Sequence, residues 1–402
     1  MVRSATAITY ELDDIPSATA ELLAQIRQKP LPGAQRVALL HAQPDMEIGD
    51  LAERLSEALG CPVLGGTTAG GAVLDSDGCH ELGVILHLLA SDDCWFGVAI
   101  SEPLNEAPER YIEDTYRSAR DDLRRQGVEA EPRMLMCITC FLQNYSSDSS
   151  LDTLSHVSGG LPAFGFVAAD DFELCKQQAF LNGVSGGDRM VVLLIAGDVR
   201  PVFQIKNLMG SRTFSKRKVT KANNNVICEI DGAPAYEYLR EFPFIDDETK
   251  LLWNYQFFVE MEEGPDSDGV PLSRALNSYN KETGEVFCFA DVPQNSYIGL
   301  QYCNDQDVKA SSESALQELN AKLEQADTQG YAYSTVFVIS CSLRLMFLAD
   351  QKDAEGRLIH RHISPSLTVS GLYGYGEIAP TSMRGDKAVN RFHNATMTIC
   401  AI

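Results

Sequence analysis

A glycine- and tyrosine-rich segment near the carboxyl end of the chain carries the residue types best suited to hold a small molecule. In residues 371–377, three glycines are interleaved with Tyr373 and Tyr375 and are followed by Glu377. Glycine lets the backbone approach a ligand closely, and tyrosine supplies a flat wall with a polar edge. A carboxylate between glycines and apolar residues needs a partner or a function. The segment is therefore a candidate pocket rim, with a capping or turn carboxylate as the structural alternative for Glu377.

His393 follows this segment and precedes the last predicted strand of the chain. A neutral imidazole here can hydrogen bond to Glu377 or ligate a metal through its free nitrogen. From the residues alone, a hydrogen-bonded structural histidine is the favoured interpretation.

Two further segments offer groups that could contact a ligand. A glycine-rich loop contains Gly66, Thr67 and Thr68 but lacks the Lys-Ser/Thr ending of a phosphate loop and the spacing of a dinucleotide fold. Its glycines predict a tight turn at a ligand or domain interface, with hydroxyls available. Cys341 follows a strand, and Arg344 could lower its pKa as in a nucleophile. Because no elbow glycines or partner base accompany it, a structural cysteine at the strand end is favoured.

Composition restricts the partners and the compartment. The 402 residues exceed what one hydrophobic core usually serves, so two domains are expected. A net charge of −23 argues against nucleic acid and anionic membrane as partners, because binding to phosphates depends on clustered Lys and Arg. We find neither a bilayer-length apolar run nor a secretory signal, so we expect a cytoplasmic protein. Eleven scattered cysteines indicate reduced thiols rather than disulfides.

The elements that would position these residues repeat along the chain. Residues 36–100 predict a strand, a helix, a strand that ends in a glycine-rich loop, and a hairpin of two further strands. The same order recurs in residues 134–205, and a looser copy spans residues 335–402. We therefore predict an α/β protein with mixed sheets built from repeated units. A basic, Asn-rich stretch marks the boundary between two domains, residues 1–222 and 223–402.

Three motifs in the carboxyl-terminal half resemble those of the FIST sensory proteins. They are Gly371-Leu372-Tyr373-Gly374-Tyr375-Gly376-Glu377-Ile378, His393-Asn394-Ala395-Thr396 and Ser340-Cys341-Ser342-Leu343-Arg344, in the order typical of that family. The resemblance extends over residues 35–402. It implies a FIST N-like domain in residues 1–222 and a FIST C-like domain in residues 223–402, similar to a stand-alone bacterial type.

The resemblance implies an intracellular ligand-binding sensor of signal transduction. Some bacterial members look like haem-based nitric oxide sensors that regulate a partner histidine kinase or cyclic-dinucleotide enzyme. For this chain, that resemblance implies His393 as the axial ligand of a non-covalently bound haem b. The other residues that would surround or anchor the haem are Phe392, Tyr373, Tyr375, Glu377, Arg384 and Arg391.

Two other functions are weighed against the haem-based sensor. The same fold could be a haem-free receptor for a small polar metabolite such as an amino acid, bound between the loop with Gly66, Thr67 and Thr68 and the loop from Tyr373 to Glu377. Cys341 and Arg344 are further candidate contacts. A Cys-dependent enzyme ranks last, because no complete acid-base or nucleophile set can be assembled from the sequence. We therefore expect no enzymatic activity, and a homodimer is left open.

Overall fold

Three copies of one unit make up most of the chain: a strand, a helix, a strand, helical structure, a third strand, a hairpin and a last strand. The computed structural model describes residues 2–142, 144–210, 212–242, 255–261 and 268–402. Its helices and mixed sheets confirm the predicted α/β class with repeated units. A further sheet is inserted into the third copy.

The first unit runs from residue 3 to residue 91. Its elements are β1 (Arg3–Thr9), α1 (Ile15–Arg27), β2 (Gln35–Ala42), α2 (Ile48–Leu59), β3 (Val63–Thr67), β4 (Ala72–Asp75), β5 (Gly78–Glu81) and β6 (Val84–Ser91). Strands β2 and β3 are parallel, whereas β6 lies antiparallel between β1 and β2. Asp14 caps the start of helix α1, where its side chain accepts a hydrogen bond from the Ser17 N–H, and Gly60, with φ of 64°, caps the end of α2.

The second unit repeats this order. Its elements are β7 (Cys94–Ile100), α3 (Pro108–Arg125), β8 (Pro132–Thr139), α4 (Ser147–Val157), β9 (Ala163–Val167), β10 (Ala179–Leu181), β11 (Val184–Gly186) and β12 (Val191–Gly197). The strand order β7-β12-β8-β9 corresponds to β1-β6-β2-β3 in the first unit. The repeat predicted from the sequence is therefore also present in the strand order of the sheets.

The inserted sheet follows the first strand of the third unit, β13 (Val202–Asn207). Its elements are β14 (Arg212–Thr213), β15 (Arg217–Asn223), β16 (Val226–Ile230), β17 (Ala233–Pro234), α5 (Ala235–Arg240), β18 (Tyr255–Glu260), β19 (Leu272–Tyr279), β20 (Val286–Cys288) and β21 (Tyr297–Tyr302). The predicted domain boundary, between residues 222 and 223, lies inside β15. The division into two domains stays a prediction.

The third unit resumes after the insertion. Its remaining elements are α6 (Asp305–Asp327), β22 (Thr335–Cys341), α7 (Ser342–Leu348), α8 (Ala354–His362), β23 (Thr368–Gly374), β24 (Gly376–Arg384), β25 (Lys387–His393) and β26 (Thr396–Ala401). Its strand order, β13-β26-β22-β23, again matches that of the first unit.

Each unit donates its hairpin to the sheet of a different unit. Hairpin β4-β5 pairs with β23 of the third unit, β10-β11 pairs with β3 of the first, and β24-β25 pairs with β9 of the second. Each of these three sheets therefore has four strands from one unit and two from another. As a result, Glu377 and His393 lie in the sheet of the second unit.

The three six-stranded sheets pack their inner faces around one central core. Residues from all three units meet there: Leu39, Leu64, Met136, Phe164, Phe337 and Leu372. The outer faces are covered by α1 and α2, by α3 and α4, and by α6 and α8, respectively. Each of the three sheets contains one pair of parallel neighbours from its own unit: β2 with β3, β8 with β9, and β22 with β23. The two strands of each pair therefore end at the same edge of their sheet.

A glycine occupies the same position in the third strand of every unit. An added Cβ would lie 1.8 Å from the Leu40 carbonyl oxygen at Gly65, 1.8 Å from that of Cys137 at Gly165, and 2.4 Å from that of Val338 at Gly371. Only glycine permits this approach between parallel strands. One packing requirement thus explains why the three units share a glycine at this position.

The predicted hairpins at residues 82–100 and 190–205 are wrong. Strand β6 pairs with β1 and β2, whereas β7 pairs with β12 in another sheet. Likewise, β12 and β13 lie in different sheets. The short links between these strands are crossings from one unit to the next, which alternation of apolar residues cannot distinguish from hairpin turns.

Candidate functional site

A ring of hydrogen bonds joins the ends of β3, β9 and β23. The three bonds run from the N–H of Ala169 to the Thr67 carbonyl (2.9 Å), from the N–H of Tyr375 to the Val167 carbonyl (2.9 Å), and from the N–H of Tyr373 to the Thr68 hydroxyl (3.1 Å). The predicted loop at Thr67 and Thr68 therefore meets the segment that contains Tyr373 and Tyr375.

Both threonine hydroxyls in this ring form hydrogen bonds with backbone groups. Thr67 Oγ1 accepts a hydrogen bond from the Gln178 N–H (3.0 Å), and Thr68 Oγ1 donates to a backbone carbonyl (2.6 Å). At Gly66 an added Cβ would lie 2.9 Å from the Phe166 ring, so glycine is needed for close packing there. These residues connect the units, and their predicted role in binding a ligand stays a prediction.

Glu377 is fully buried beside the Cys341 thiol. The Thr396 N–H donates a hydrogen bond to Glu377 Oε2 at 3.2 Å. Burial raises the pKa of the Glu377 carboxyl well above its usual value, and burial followed by the charge of Glu377 raises the pKa of the Cys341 thiol. Burial therefore disfavours the Cys341 thiolate, and the thiolate, not the thiol, is the nucleophile. This geometry gives no support to a Cys-dependent enzyme.

Arg344 pairs with Glu355, a residue that the sequence analysis missed. Arg344 Nη2 lies 2.8 Å from Glu355 Oε1, and both side chains are fully buried. The hydroxyl of Ser340 donates to Glu355 Oε2 (2.8 Å), and those of Ser311 and Ser312 accept from the guanidinium (3.1 and 2.7 Å). Arg344 thus neutralises Glu355 and holds α6, α8 and β22 together. It does not make Cys341 a thiolate.

An aromatic cavity lies where the second unit, the third unit and the inserted sheet meet. It encloses about 50 Å³. Its walls are Phe141, Val167, Phe172 and Leu174 from the second unit, Ala275 and Phe289 from the inserted sheet, and Ser342, Leu343, Tyr375, Phe392 and Asn394 from the third unit. Of the predicted site residues, Tyr375 and Phe392 are among these walls.

Residues 170–176 form a loop that closes one side of this cavity. The Asp170 carboxylate accepts hydrogen bonds from four N–H groups of the loop, at 2.8 to 3.0 Å, and from the Tyr375 hydroxyl. Burial alone would raise the pKa of Asp170, but the Tyr375 hydroxyl and the N–H donors lower it below its usual value. Phe172 and Leu174 have φ of 66° and 57°, which is uncommon for bulky residues. Asp170 and Tyr375 hold this strained loop in place.

Arg274 fixes the inserted sheet against the core beside the cavity. Its side chain is 2% exposed. It donates hydrogen bonds to the Asp291 carbonyl (2.6 Å), to the Phe392 carbonyl (3.0 Å) and to Asp148 Oδ1 at the start of α4 (3.1 Å). Since Ala275 and Phe392 are cavity walls, Arg274 connects the cavity to both the inserted sheet and α4.

His393 is fully buried and does not line the aromatic cavity. Its Nε2 lies 3.3 Å from the Ala379 carbonyl, and its Nδ1 has no hydrogen-bond partner among the residues that the structure describes. Burial lowers the pKa of the imidazole to about 3, so the ring is neutral. The position matches the hydrogen-bonded structural histidine that the residues alone favour.

The residues predicted to hold a haem do not form a pocket for one. Tyr373 is fully buried, whereas Arg384 is exposed near the turn of the β24-β25 hairpin and Arg391 is half-buried on β25. The cavity beside Phe392, at about 50 Å³, is much smaller than the roughly 300–1,000 Å³ of typical ligand pockets. His393 and this cavity therefore do not fit a haem, and haem binding stays a prediction.

Several residues at the cavity escaped sequence analysis because their neighbours come from distant parts of the chain. Asp170 and Arg274 each bond to residues more than a hundred positions away. A local signal existed for Asp170, since Asp before a run of turn residues commonly accepts their N–H bonds. No local pattern marks Arg274 or Glu355.

Neither a metal-binding cluster nor a membrane-spanning helix is present among the described residues. No group of three or more His, Cys, Asp and Glu side chains within them is arranged to hold a metal ion. No helix in that part of the chain is both long and apolar enough to span a membrane.

Comparison with known families gives two matches. The model of the FIST N domain matches residues 36–233, and that of the FIST C domain matches residues 235–380. None of the curated proteins compared with the chain is similar to it in sequence.

Two solved structures show weak similarity. A cyanuric acid hydrolase from A. caulinodans aligns over 100% of this chain and 99% of its own, with 7% identity and a TM-score of 0.36. T. maritima PurL complexed with ATP aligns over 100% of this chain and 71% of its own, with 9% identity and a TM-score of 0.19. Similarity at this level supports no conclusion about fold or function.

Proposed function

This chain belongs to the FIST family, and from that premise we propose that it is a haem-free sensor that binds a small molecule in the aromatic cavity. FIST domains are sensor domains of signal transduction that bind small ligands. The predicted class of function, a ligand-binding sensor, is unchanged, but the walls of the aromatic cavity replace Gly66, Thr67 and Thr68 as the proposed ligand contacts.

The observation that carries the proposal is the position of the cavity. Its walls come from the second unit, the third unit and the inserted sheet, and the 170–176 loop closes it. A ligand held there contacts three parts of the chain at once. Such a ligand can favour one arrangement of these parts over another, which is what a sensor requires.

The size of the cavity indicates that the loop must move to admit a ligand of useful affinity. The cavity of about 50 Å³ is about a third of an engineered 150 Å³ cavity known to bind benzene. A two-atom gas held without a metal gains at most about 3 kcal/mol, which corresponds to a Kd weaker than about 1 mM. A larger ligand requires outward movement of Phe172 and Leu174, and Leu174 is already 41% exposed.

The response would pass from the cavity to the inserted sheet and then to a partner protein. Ala275 and Phe289 place the inserted sheet in direct contact with a bound ligand. Arg274 links the same region to α4. We propose a signalling enzyme, such as a histidine kinase or a cyclic-dinucleotide enzyme, as the partner that recognises the change.

Thermal stabilisation by a panel of small molecules tests the proposal. A ligand at a hundred times its Kd stabilises the folded state by about 2.7 kcal/mol. Ala275→Leu fills the cavity and should abolish this stabilisation, whereas Ala233→Leu, on the exposed strand β17 of the same sheet, should preserve it. Equal stabilisation of the two variants would contradict binding in the cavity.

The haem-based nitric oxide sensor stays a prediction: Nδ1 of His393 has no partner among the described residues, but the surrounding residues do not fit a haem. A visible absorption band in protein expressed with a haem precursor, lost in His393→Ala, would support it. Colourless wild-type protein that a small molecule stabilises would support the haem-free sensor.

A further inference from the structure

We infer that a polar cleft beside the 170–176 loop binds a small organic cation, through carboxylates and the side-chain oxygen of Gln43. This cleft is separate from the aromatic cavity and holds about 380 Å³, within the roughly 300–1,000 Å³ of typical ligand pockets. The inference goes beyond the proposed function, because it concerns a second site and a different class of ligand.

The cleft lies past the carboxyl ends of strands in the first unit. Its walls include residues 12–13, 43–46 and 70–71, which follow β1, β2 and β3, respectively. These strands run in one direction, since β1 and β2 are both antiparallel to β6 and β2 is parallel to β3. The crevice outside such strand ends is the usual ligand site of open α/β sheets. Asp171 of the second unit and Lys352 of the third unit are further walls, so a ligand here would contact all three units.

Gln43 presents an unpaired acceptor to the cleft. The residue is 4% exposed, and its Nε2 donates hydrogen bonds to the carbonyls of Gly71 (3.0 Å) and Gly83 (2.5 Å). These bonds fix the amide, because a rotated amide would set its oxygen against both carbonyls. The Oε1 atom has no hydrogen-bond partner among the described residues but keeps accessible surface. A Cβ added at Gly71, another wall of the cleft, would lie 3.5 Å from this oxygen. A ligand N–H can therefore reach it.

Carboxylates outnumber cations among the described walls of the cleft. Asp13, Asp45 and Asp171 line it, whereas Lys352 is the one basic side chain there. Asp45 and Lys352 each have an oppositely charged partner, at 3.2 and 3.8 Å, respectively. The carboxylates of Asp13 and Asp171 are exposed and form no ion pair or hydrogen bond within the described part of the chain. A positively charged group with several N–H donors would satisfy these acceptors together.

Leu82 gives the cleft an exposed apolar wall. It is 60% exposed and has φ of 56°, both of which are unusual for a leucine. Its N–H donates a hydrogen bond to the Gly71 carbonyl at 2.7 Å, which holds this backbone in place. Leu12 and Met46 are further apolar walls. The ligand class is therefore an ammonium group that carries a short apolar chain.

Four probes with the same five-carbon chain separate the possibilities: pentylammonium, 1-pentanol, pentanoate and pentyltrimethylammonium. Their dissociation constants would be measured with the whole chain at pH 7 and low salt by ligand-observed NMR. Pentylammonium should bind at least about fivefold more tightly than 1-pentanol, because charge-assisted hydrogen bonds are the stronger ones. It should bind at least about twofold more tightly than pentyltrimethylammonium, which has the charge but no N–H for Gln43. Pentanoate should not bind measurably.

Two variants remove the free carboxylates of the cleft. Asp13→Asn and Asp171→Asn should each weaken binding of pentylammonium by about twofold to fivefold. The control is Asp386→Asn, at an exposed position in the turn between β24 and β25, and it should bind as wild type does. This control is needed because a net charge of −23 attracts cations to the whole surface. Ala275→Leu, which fills the aromatic cavity, should also bind pentylammonium as wild type does.

The inference is overturned if pentylammonium does not bind, or if 1-pentanol or pentanoate binds at least as tightly. It is also overturned if Asp386→Asn weakens binding as much as the two cleft variants do, because binding would then depend on net charge alone. Equal affinities of pentylammonium and pentyltrimethylammonium would overturn the assignment of Gln43 as an acceptor. Loss of binding in Ala275→Leu would place the cation in the aromatic cavity instead. Failure of pentylammonium to bind leaves the proposed function intact, since that function is tested with other ligands.

Discussion

Replacing His87 with leucine should make the protein less sensitive to acid. His87 is fully buried in the central core, with its ring 5.1 Å from that of Phe337. Neither ring nitrogen has a hydrogen-bond partner among the described residues. Burial, and then the nearby His41, lowers the pKa of His87 from 6.5 to about 3. The folded protein therefore holds this imidazole neutral.

The direction and size of the effect follow from the pKa difference. Below about pH 6.5 the unfolded chain binds a proton at His87, whereas the folded protein binds it only near pH 3. The contribution of His87 to the free energy of unfolding is therefore fully present above pH 6.5 and is lost as the pH falls from there towards 3. One pKa unit corresponds to about 1.36 kcal/mol, so His87 alone lowers the free energy of unfolding by about 2 kcal/mol between pH 7 and pH 5.

Urea unfolding at pH 7 and pH 5 measures this loss. In His87→Leu the decline between the two pH values should be about 2 kcal/mol smaller than in wild type. His156→Leu, at an exposed position near the end of α4, should decline as wild type does. An equal decline in wild type and His87→Leu would refute the conclusion that the core holds His87 neutral.

Three further predictions concern buried or strained positions. Arg344→Met leaves the Glu355 carboxylate unpaired and should lower the free energy of unfolding, measured in urea, by about 3–5 kcal/mol. Adding Glu355→Leu to this variant should recover most of the loss, and no recovery would contradict the pairing. Gly165→Ala should lower the free energy of unfolding by at least about 1–3 kcal/mol through overpacking. The added Cβ of Gly60→Ala meets open space, so this variant should lose only about 1 kcal/mol, from its left-handed backbone. Equal losses in the two variants would contradict the packing argument. Asp170→Asn weakens charge-assisted bonds in the 170–176 loop, so trypsin should cleave there about tenfold faster; an unchanged rate would show that Asp170 does not hold the loop.

The repeated elements could be predicted from sequence because they depend on local patterns. Alternating apolar residues and glycine-rich strand ends located the β2-α2-β3 and β8-α4-β9 segments of the first two units. Helix α3 was missed although Ile112, Tyr116, Ala119 and Leu123 bury one face of it, since its charged residues obscure the apolar periodicity. Which strands pair with which could not be predicted, because a hairpin pairs equally well with any free sheet edge.

The candidate site was predicted only in part for the same reason. Tyr375 and Phe392 stand out by residue type beside glycines and the carboxyl-terminal motif, and both line the cavity. Asn394 belongs to the carboxyl-terminal motif, but only the structure shows that its side-chain oxygen has no hydrogen-bond partner among the described residues. Arg344 was identified without Glu355, because a buried ion pair depends on contacts between separate elements.

The exchange of hairpins has a consequence for synthesis of the protein. The sheet of the second unit requires β24 and β25, which end at residue 393, although its other four strands end by residue 197. On the ribosome that sheet must wait, with β9 unpaired on one edge, while about two hundred more residues are translated. Exposed strand edges invite pairing with other chains. Nascent chains of this protein should therefore depend on chaperones that shield this edge until β24 and β25 have been translated.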